Sequence, residues 1–192
     1  AGGLIAPQAR KTLVCSRSFA KKISDMALLK QAVASFSVRA AERLRRKKLF
    51  ASAAVVFMQT SFFHEPFISD SRQAAFAMPT SDTMAFIKAA IAAVESMFKA
   101  GVPYGKAGVM LFDLCERCTM QGDLLAMEAE DAAAKRDALM AALDAANRRY
   151  GRGAVKFAIE GFGKGVWALK QDYKSPSYTT CWEELAVATC QR

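Results

Sequence analysis

The sequence contains no hydrophobic run close to the roughly 20 residues that are needed to span a bilayer. Its first residues also lack the three parts of a secretory signal peptide, which are a charged start, an apolar middle and a small-residue cleavage site. We therefore expect a soluble, cytoplasmic protein that has no membrane partner.

Motifs of several common enzyme classes are absent as well. The sequence has no GxSxG motif and no GxxxxGK[ST] phosphate-binding loop, and His64 is the only histidine. Asp82 and Asp113 are isolated carboxylates, whereas catalysis by two metal ions requires a group of carboxylates to hold them. None of these motifs therefore points to an enzymatic activity of the chain.

The five cysteines are an odd number in a chain with no export signal, and this favours reduced thiols. Cys115 and Cys118 form a single CxxC pair, and Cys181 and Cys190 could complete a four-thiolate zinc site. Eight residues separate the members of the second pair, which is not the usual close spacing of zinc ligands. A zinc-stabilised regulatory protein therefore remains the less favoured alternative.

Positive charge is concentrated in the first quarter of the 192-residue chain. Residues 1–48 contain twelve lysines and arginines against two acidic residues, a net charge of +10, whereas the remaining residues carry −1. Charge of this kind favours a polyanionic partner, because binding releases the counterions that are condensed on phosphates. For the basic run at 43–48 alone, a solvated helix face is an equally good explanation.

Hydrophobic patterns predict six elements in the order strand, helix, strand, strand, helix, strand. The helices are expected at about 26–47 and 83–99, where apolar residues recur every three or four positions, with Ser24 or Asp25 as the first N-cap. The strands are expected at about 11–19, 53–60, 72–78 and 104–113. This order predicts an α+β fold, a four-stranded sheet with two helices on one face and the other face open.

The remainder of the chain is expected to contain a linker and a small domain of a helix plus strands. Residues 130–150 predict a helix that Gly151 ends, and two strands are expected at 154–159 and 166–170. We therefore predict an N-terminal tether at 1–9, a sheet domain at 10–114, a linker at 115–129 and a C-terminal domain of unknown role at 130–192.

Three stretches in a fixed order resemble the C-terminal half of one protein family. They are residues 16–19 (SRSF), 106–111 (KAGVML) and 175–182 (SPSYTTCW), and a peptide at 121–125 (QGDLL) falls between the last two. Together they resemble the UmuC-type Y-family DNA polymerases, the catalytic subunits of DNA polymerase V, which copy past damaged bases. The resemblance covers about residues 6–187.

This resemblance implies that the sheet domain is the little finger, which grips duplex DNA beside the polymerase core. The parent protein would be an error-prone translesion polymerase of DNA repair and the SOS response. Its palm, with the carboxylates that bind Mg²⁺, would precede residue 1. The chain alone is then expected to bind primer-template or damaged DNA, to hold no metal or other cofactor, and not to act as an enzyme or synthesise DNA.

The resemblance also implies which residues contact DNA. An arginine between two hydroxyl groups can hold phosphate oxygens by charge-assisted hydrogen bonds, and this is the arrangement at 16–18. Residues 71, 72 and 106 would lie at the edge of the open face, close to a template phosphate. The expected DNA-binding residues are Arg10, Lys11, Ser16, Arg17, Ser18, Ser71, Arg72 and Lys106.

Two protein partners are implied in the same way. The peptide at 121–125 resembles the family's sliding-clamp ligand, with Gln121, Leu124 and Leu125 as the binding residues. Leucine replaces the usual phenylalanine at the last position, and its smaller buried area should weaken the contact. A UmuD-like subunit is the second expected partner. The alternative function is a stand-alone, non-enzymatic interaction module that binds the clamp or the UmuD-like partner.

Overall fold

The structure, a computed structural model, describes residues 12–63, 65–116, 127–162, 167 and 175–185, and residues 127–133 by their backbone only. Its first six elements follow the order that the hydrophobic pattern predicts. The main elements are β1 (Thr12–Ile23), α1 (Met26–Arg46), β2 (Leu49–Thr60), β3 (Ser69–Thr80), α2 (Thr83–Met97), β4 (Tyr104–Glu116) and α3 (Met127–Arg149).

The four strands form one antiparallel sheet in the order β1-β4-β2-β3, so that β1 and β3 are its edges. Helices α1 and α2 both pack on one face, and in the described part of the chain no helix covers the other face. The predicted α+β fold with two helices on one face of a four-stranded sheet is therefore confirmed.

Both packed helices begin at an aspartate. The Asp25 carboxylate accepts a hydrogen bond from the Ala27 backbone N–H, and Asp82 accepts one from the Met84 N–H, both at 2.9 Å. Each cap residue has extended backbone, which leaves its side chain free to satisfy an N–H that lacks a partner within the helix. Asp25, rather than Ser24, is thus the cap of α1.

The core lies between the helices and the sheet. Leu29, Phe36 and Leu44 of α1 are fully or almost fully buried, and so are Phe86 and Val94 of α2. The strands meet them with alternate residues, because successive side chains of a strand point to opposite faces. None of the described helices is both long and apolar enough to cross a membrane.

Strands β1 and β2 are longer than their local patterns predict. β1 continues four residues beyond the expected end, to Ile23, and β2 begins four residues earlier, at Leu49. Pairing explains the second extension, because Leu49 of β2 lies opposite Glu116 at the end of β4. β4 therefore also includes residues 115 and 116, where the linker was expected to begin.

The strand predicted at 154–159 is wrong. This segment is a turn followed by a short 3-10 helix, Ala158–Glu160. The Asn147 side chain accepts a hydrogen bond from the Val155 N–H at 2.9 Å and donates one to the Val155 carbonyl at 3.0 Å. Since a side chain occupies both backbone groups, Val155 has no need of a strand partner. Of the strand predicted at 166–170, only Trp167 lies within the described residues.

Arg45 joins three helices in a single set of hydrogen bonds. Its guanidinium donates two parallel bonds to the Asp144 carboxylate of α3, at 2.7 and 2.8 Å. The same group donates to the Ser81 carbonyl at 2.8 Å and to the Thr83 hydroxyl at 2.7 Å, at the start of α2. Both charged side chains are largely buried, so this contact fixes the end of α3 against the sheet domain.

Candidate nucleic-acid interface

The uncovered face of the sheet presents four rows of side chains that run across the strands. Strand register defines each row, because residues that lie opposite each other in antiparallel strands share a face. In the order β1-β4-β2-β3 the rows are Ser18–Lys106–Gln59–Ser69, Ser16–Gly108–Phe57–Ser71, Val14–Met110–Val55–Gln73 and Thr12–Phe112–Ala53–Ala75.

The first two rows, which we name the polar strip, combine four hydroxyl groups, one amide and the ammonium group of Lys106. Gly108 is at the centre of the strip. A Cβ at this position would lie 2.5 Å from the ring of Phe57 and closer still to the Cβ of Ser16. The phenylalanine ring therefore lies over the glycine, in the space that a side chain at position 108 would occupy.

The structure brings four of the predicted residues to the open face, namely Ser16, Ser18, Ser71 and Lys106. It places Arg72 on the other face, because Arg72 lies opposite the buried Val56. The prediction that Arg72 lies at the edge of the open face is therefore wrong. The alternation of side chains along β3 sends neighbouring residues to opposite faces.

Arg17 also differs from its expected placement. Residues 16–18 lie in the middle of β1 rather than at its end, so the arginine and its flanking serines point to opposite sides of the sheet. Arg17 faces the helix side and lines a cleft beside α1. A single phosphate cannot then be held jointly by all three side chains in the way that the local sequence suggested.

The other predicted site residues lie outside the described residues. They are Arg10 and Lys11, before β1, and Gln121, Leu124 and Leu125, between β4 and α3. Their contacts with DNA and with the clamp stay predictions from the sequence.

Sequence reasoning missed a cleft of about 550 Å³ between α1, β1 and the end of α3. We name it the arginine cleft. Its α1 wall carries Arg39, Arg43 and Arg46, and the opposite wall carries Arg148 and Arg152. The spacing of the α1 arginines by four and three residues places them on one helix face and is visible in the sequence. The opposite wall lies about a hundred residues further along the chain, and no local pattern connects the two.

Arg39 is partly buried and lies close to other cations of the cleft. Burial lowers the pKa of its guanidinium from the ordinary value, and the charges of Arg152 and Arg17 lower the pKa further. Next to it, burial raises the pKa of the Cys15 thiol, although Arg43 opposes this rise and donates a long hydrogen bond to the sulfur. The cleft therefore holds several like charges close together, beside the buried thiol of Cys15.

The described cysteines Cys15, Cys115 and Cys181 are free thiols. Among the residues that the structure describes, no three histidine, cysteine or acidic side chains are close enough together to hold a metal ion. Cys118 and Cys190 lie outside those residues, so the four-thiolate zinc site stays a hypothesis.

Comparison with known proteins identifies two regions of the chain. Residues 10–124 match the model of the impB/mucB/samB family C-terminal domain, and residues 137–188 match a domain of unknown function, DUF4113. Among solved structures, the little finger domain of PolIV in a complex with the beta-clamp processivity factor covers 59% of this chain and 97% of that chain, with 14% identity and a TM-score of 0.44.

Two relatives are similar to this chain over almost its whole length. Protein UmuC of Salmonella typhimurium is 35% identical over 179 residues, which are 92% of this chain and 42% of the relative. Protein MucB of Salmonella typhimurium is 34% identical over 185 residues, 95% of this chain and 43% of the relative. The chain thus spans about two-fifths of the length of these relatives. The resemblance inferred from the sequence is confirmed, and the chain belongs to the impB/mucB/samB family, whose C-terminal domain its residues 10–124 match.

Proposed function

We propose that the chain is the DNA-binding part of a translesion DNA polymerase and that it holds primer-template DNA through backbone phosphates. The observation that carries this proposal is the polar strip, a surface that no helix of the described residues covers and that has one ammonium group among hydrogen-bonding side chains. Membership of the impB/mucB/samB family supports the same function.

The strip is suited to phosphates rather than to base edges. Lys106 supplies a compact positive charge, and the hydroxyl groups of Ser16 and Ser18 can donate hydrogen bonds to neighbouring phosphate oxygens. These serine side chains are short, so they cannot reach far into a groove. Contacts of this kind position a duplex without reading its sequence.

The proposal extends to the parent protein. It would be a DNA-directed polymerase that acts in DNA repair and the SOS response in the cytoplasm, with Mg²⁺ in a palm domain and a UmuD-like subunit as partner. The kinship with Protein UmuC supports this extension.

A first prediction concerns the salt dependence of DNA binding. If about six lysine and arginine side chains neutralise phosphates, with Lys106 and members of the basic residues 1–48 among them, the logarithm of the affinity for primed DNA should fall with the logarithm of salt concentration at a slope of about −5. Lys106→Ala should weaken binding to all sequences alike and should reduce the slope by about one, because it removes one phosphate contact. Fluorescence anisotropy titrations at several salt concentrations measure both quantities.

Lys88→Ala is the matched control, because Lys88 is an exposed lysine on α2, on the far side of the sheet. It should leave the slope almost unchanged. A wild-type chain whose affinity does not respond to salt would contradict the proposed function. Equal effects of the two lysine variants would remove Lys106 from the interface.

A second candidate function, binding of the sliding clamp, rests on the peptide at 121–125. Leu125→Phe should tighten binding to a bacterial clamp by up to about tenfold, because the larger ring buries more apolar area. Gln121→Ala should weaken binding to the clamp, because alanine cannot make the polar contacts of the glutamine side chain. Surface plasmon resonance on the immobilised clamp measures these changes.

This experiment also separates the two functions. A chain that binds the clamp but shows no salt-dependent affinity for DNA would be the stand-alone interaction module. If the wild type and both variants fail to bind the clamp at tens of micromolar, the peptide serves only as a connection between domains.

A further inference from the structure

The arginine cleft carries more positive charge than its own carboxylates balance. Eight cationic and three acidic side chains line it, an excess of five positive charges. Within the described residues, ion pairs engage only two of the eight cations, Arg45 with Asp144 and Arg152 with Glu42. The second of these pairs is long, at 3.7 Å, and exposed, so it contributes little. Such an excess of like charge favours the binding of an anion, which offsets the repulsion.

The cleft is built for groups with several acceptor oxygens. Seven of its eight cations are arginines. The guanidinium of Arg45 is already committed to Asp144, Ser81 and Thr83, and the planar forks of the other six can each donate two parallel hydrogen bonds to one phosphate. Arg39, Arg43 and Arg46 follow one another along α1 at separations of about 6 and 4.5 Å measured on the helix axis. Successive phosphates of a nucleic-acid strand are spaced by a similar distance, so consecutive arginines can serve consecutive phosphates.

The size of the cleft excludes a duplex. Its volume of about 550 Å³ falls in the range of small-ligand sites, and arginines stand on both of its walls. A double helix, whose major groove alone is about 12 Å wide, cannot enter such a space. A single strand can enter and contact both walls. The one aromatic residue among the lining residues, Trp167, is only 7% exposed and offers no free ring for base stacking.

The cleft adjoins the polar strip across a single strand. β1 is a sheet edge, with Ser16 and Ser18 facing the strip and Arg17 facing the cleft. A second hollow, of about 320 Å³, shares Arg43 and Arg46 with the cleft and reaches the open-face residues at the beginning of β1. Four of its eight lining residues are apolar, so the direct link between the polar strip and the cleft is β1 itself, at residues 16–18.

We propose that the arginine cleft binds the backbone phosphates of a single-stranded DNA segment that leaves the duplex at the edge strand β1. This inference rests on the proposed function, since the duplex is held by the polar strip. The cleft holds the strand irrespective of its sequence, because its lining presents guanidinium groups and no free aromatic ring among the described residues. Part of the matched DUF4113 region, including Arg148 and Arg152, thereby forms one wall of a nucleic-acid site.

The test uses the full chain and two labelled DNA molecules, a blunt duplex and the same duplex with a single-stranded overhang of about ten thymidines. The wild type should bind the overhang DNA several-fold more tightly. Arg148→Ala should remove most of that difference and reduce the salt slope for overhang DNA by about 0.7, the value for one single-strand phosphate contact. Affinity for the blunt duplex should not change.

Two variants control for charge and for folding. Arg149→Ala removes the same charge from the next residue of α3, which is not part of the cleft lining, and should leave the overhang preference intact. Arg39→Lys keeps a cation but loses the fork, and it should weaken overhang binding about three- to tenfold. Circular dichroism melts of each variant identify any loss of fold.

The outcomes separate this inference from the proposed function. No binding of the wild type to either DNA contradicts the proposed function. Binding of both DNA molecules with equal affinity, or equal losses from Arg148→Ala and Arg149→Ala, overturns the inference alone. A decaglutamate peptide that displaces the overhang DNA as well as decathymidylate does would also overturn it, because the cleft would then be a site for acidic proteins.

Discussion

Arg45→Ala is expected to lower the free energy of unfolding by about 2 to 4 kcal/mol. The substitution removes four hydrogen bonds at once, two to Asp144 and one each to the Ser81 carbonyl and the Thr83 hydroxyl. It also leaves the Asp144 carboxylate, whose side chain is only 19% exposed, without its cation. For a chain of this length each kcal/mol corresponds to about 2–4 °C in melting temperature, which thermal denaturation measures.

Lys30→Ala is the matched control for this prediction. Lys30 and Glu95 also form a short ion pair, at 2.6 Å, but Glu95 is about half exposed. An exposed pair contributes about 0–1 kcal/mol, because water screens the charges and competes for the hydrogen bond. Similar losses from Arg45→Ala and Lys30→Ala would mean that the contact between α1 and α3 does not support the fold.

Gly108→Val is expected to cost about 1 to 3 kcal/mol of stability and to reduce DNA affinity. The new side chain would overlap the Phe57 ring and the Cβ of Ser16, and β4 lies in the sheet interior, where the backbone cannot withdraw. The ring must leave its position over the glycine, and this displaces side chains of the polar strip. Chemical denaturation measures the stability loss, and anisotropy titration measures the affinity.

Ala75→Val adds bulk to the same face of the sheet at an exposed position of the edge strand β3. It should change stability by less than about 0.5 kcal/mol and leave DNA affinity unaltered, since nothing is displaced. If Gly108→Val is equally neutral, the contact between Phe57 and the glycine does not determine the shape of the strip.

Most of the fold could be predicted from local patterns. The apolar stripes of α1 and α2, their aspartate caps and the alternating strands all act over short distances along the chain. The ends of the strands could not be predicted in this way, because pairing such as that of Leu49 with Glu116 depends on residues far apart in sequence. The predicted strand at 154–159 failed for a related reason, since the side chain of Asn147 takes the place of a strand partner.

The candidate site was only partly accessible to sequence reasoning. The resemblance selected Ser16, Ser18 and Lys106, which the structure brings together on the open face. It treated Arg17 as part of the same group, although strand alternation separates the arginine from the serines once β1 extends through residues 16–18. The arginine cleft could not be inferred at all, because the position of α3 against α1 is fixed by the long-range contact between Arg45 and Asp144.

The register of β1 against β4 determines on which side of the sheet each side chain of residues 16–18 lies. Leu13, Cys15 and Phe19 are buried on the helix side and prevent the strand from slipping. A slip of one residue would turn them out to solvent, transfer Arg17 to the open face and turn Ser16 toward the cleft. Apolar residues of β1 thus control the polarity of both faces, and a substitution in this buried row that shifts the register would exchange the polar side chains that the two sides present.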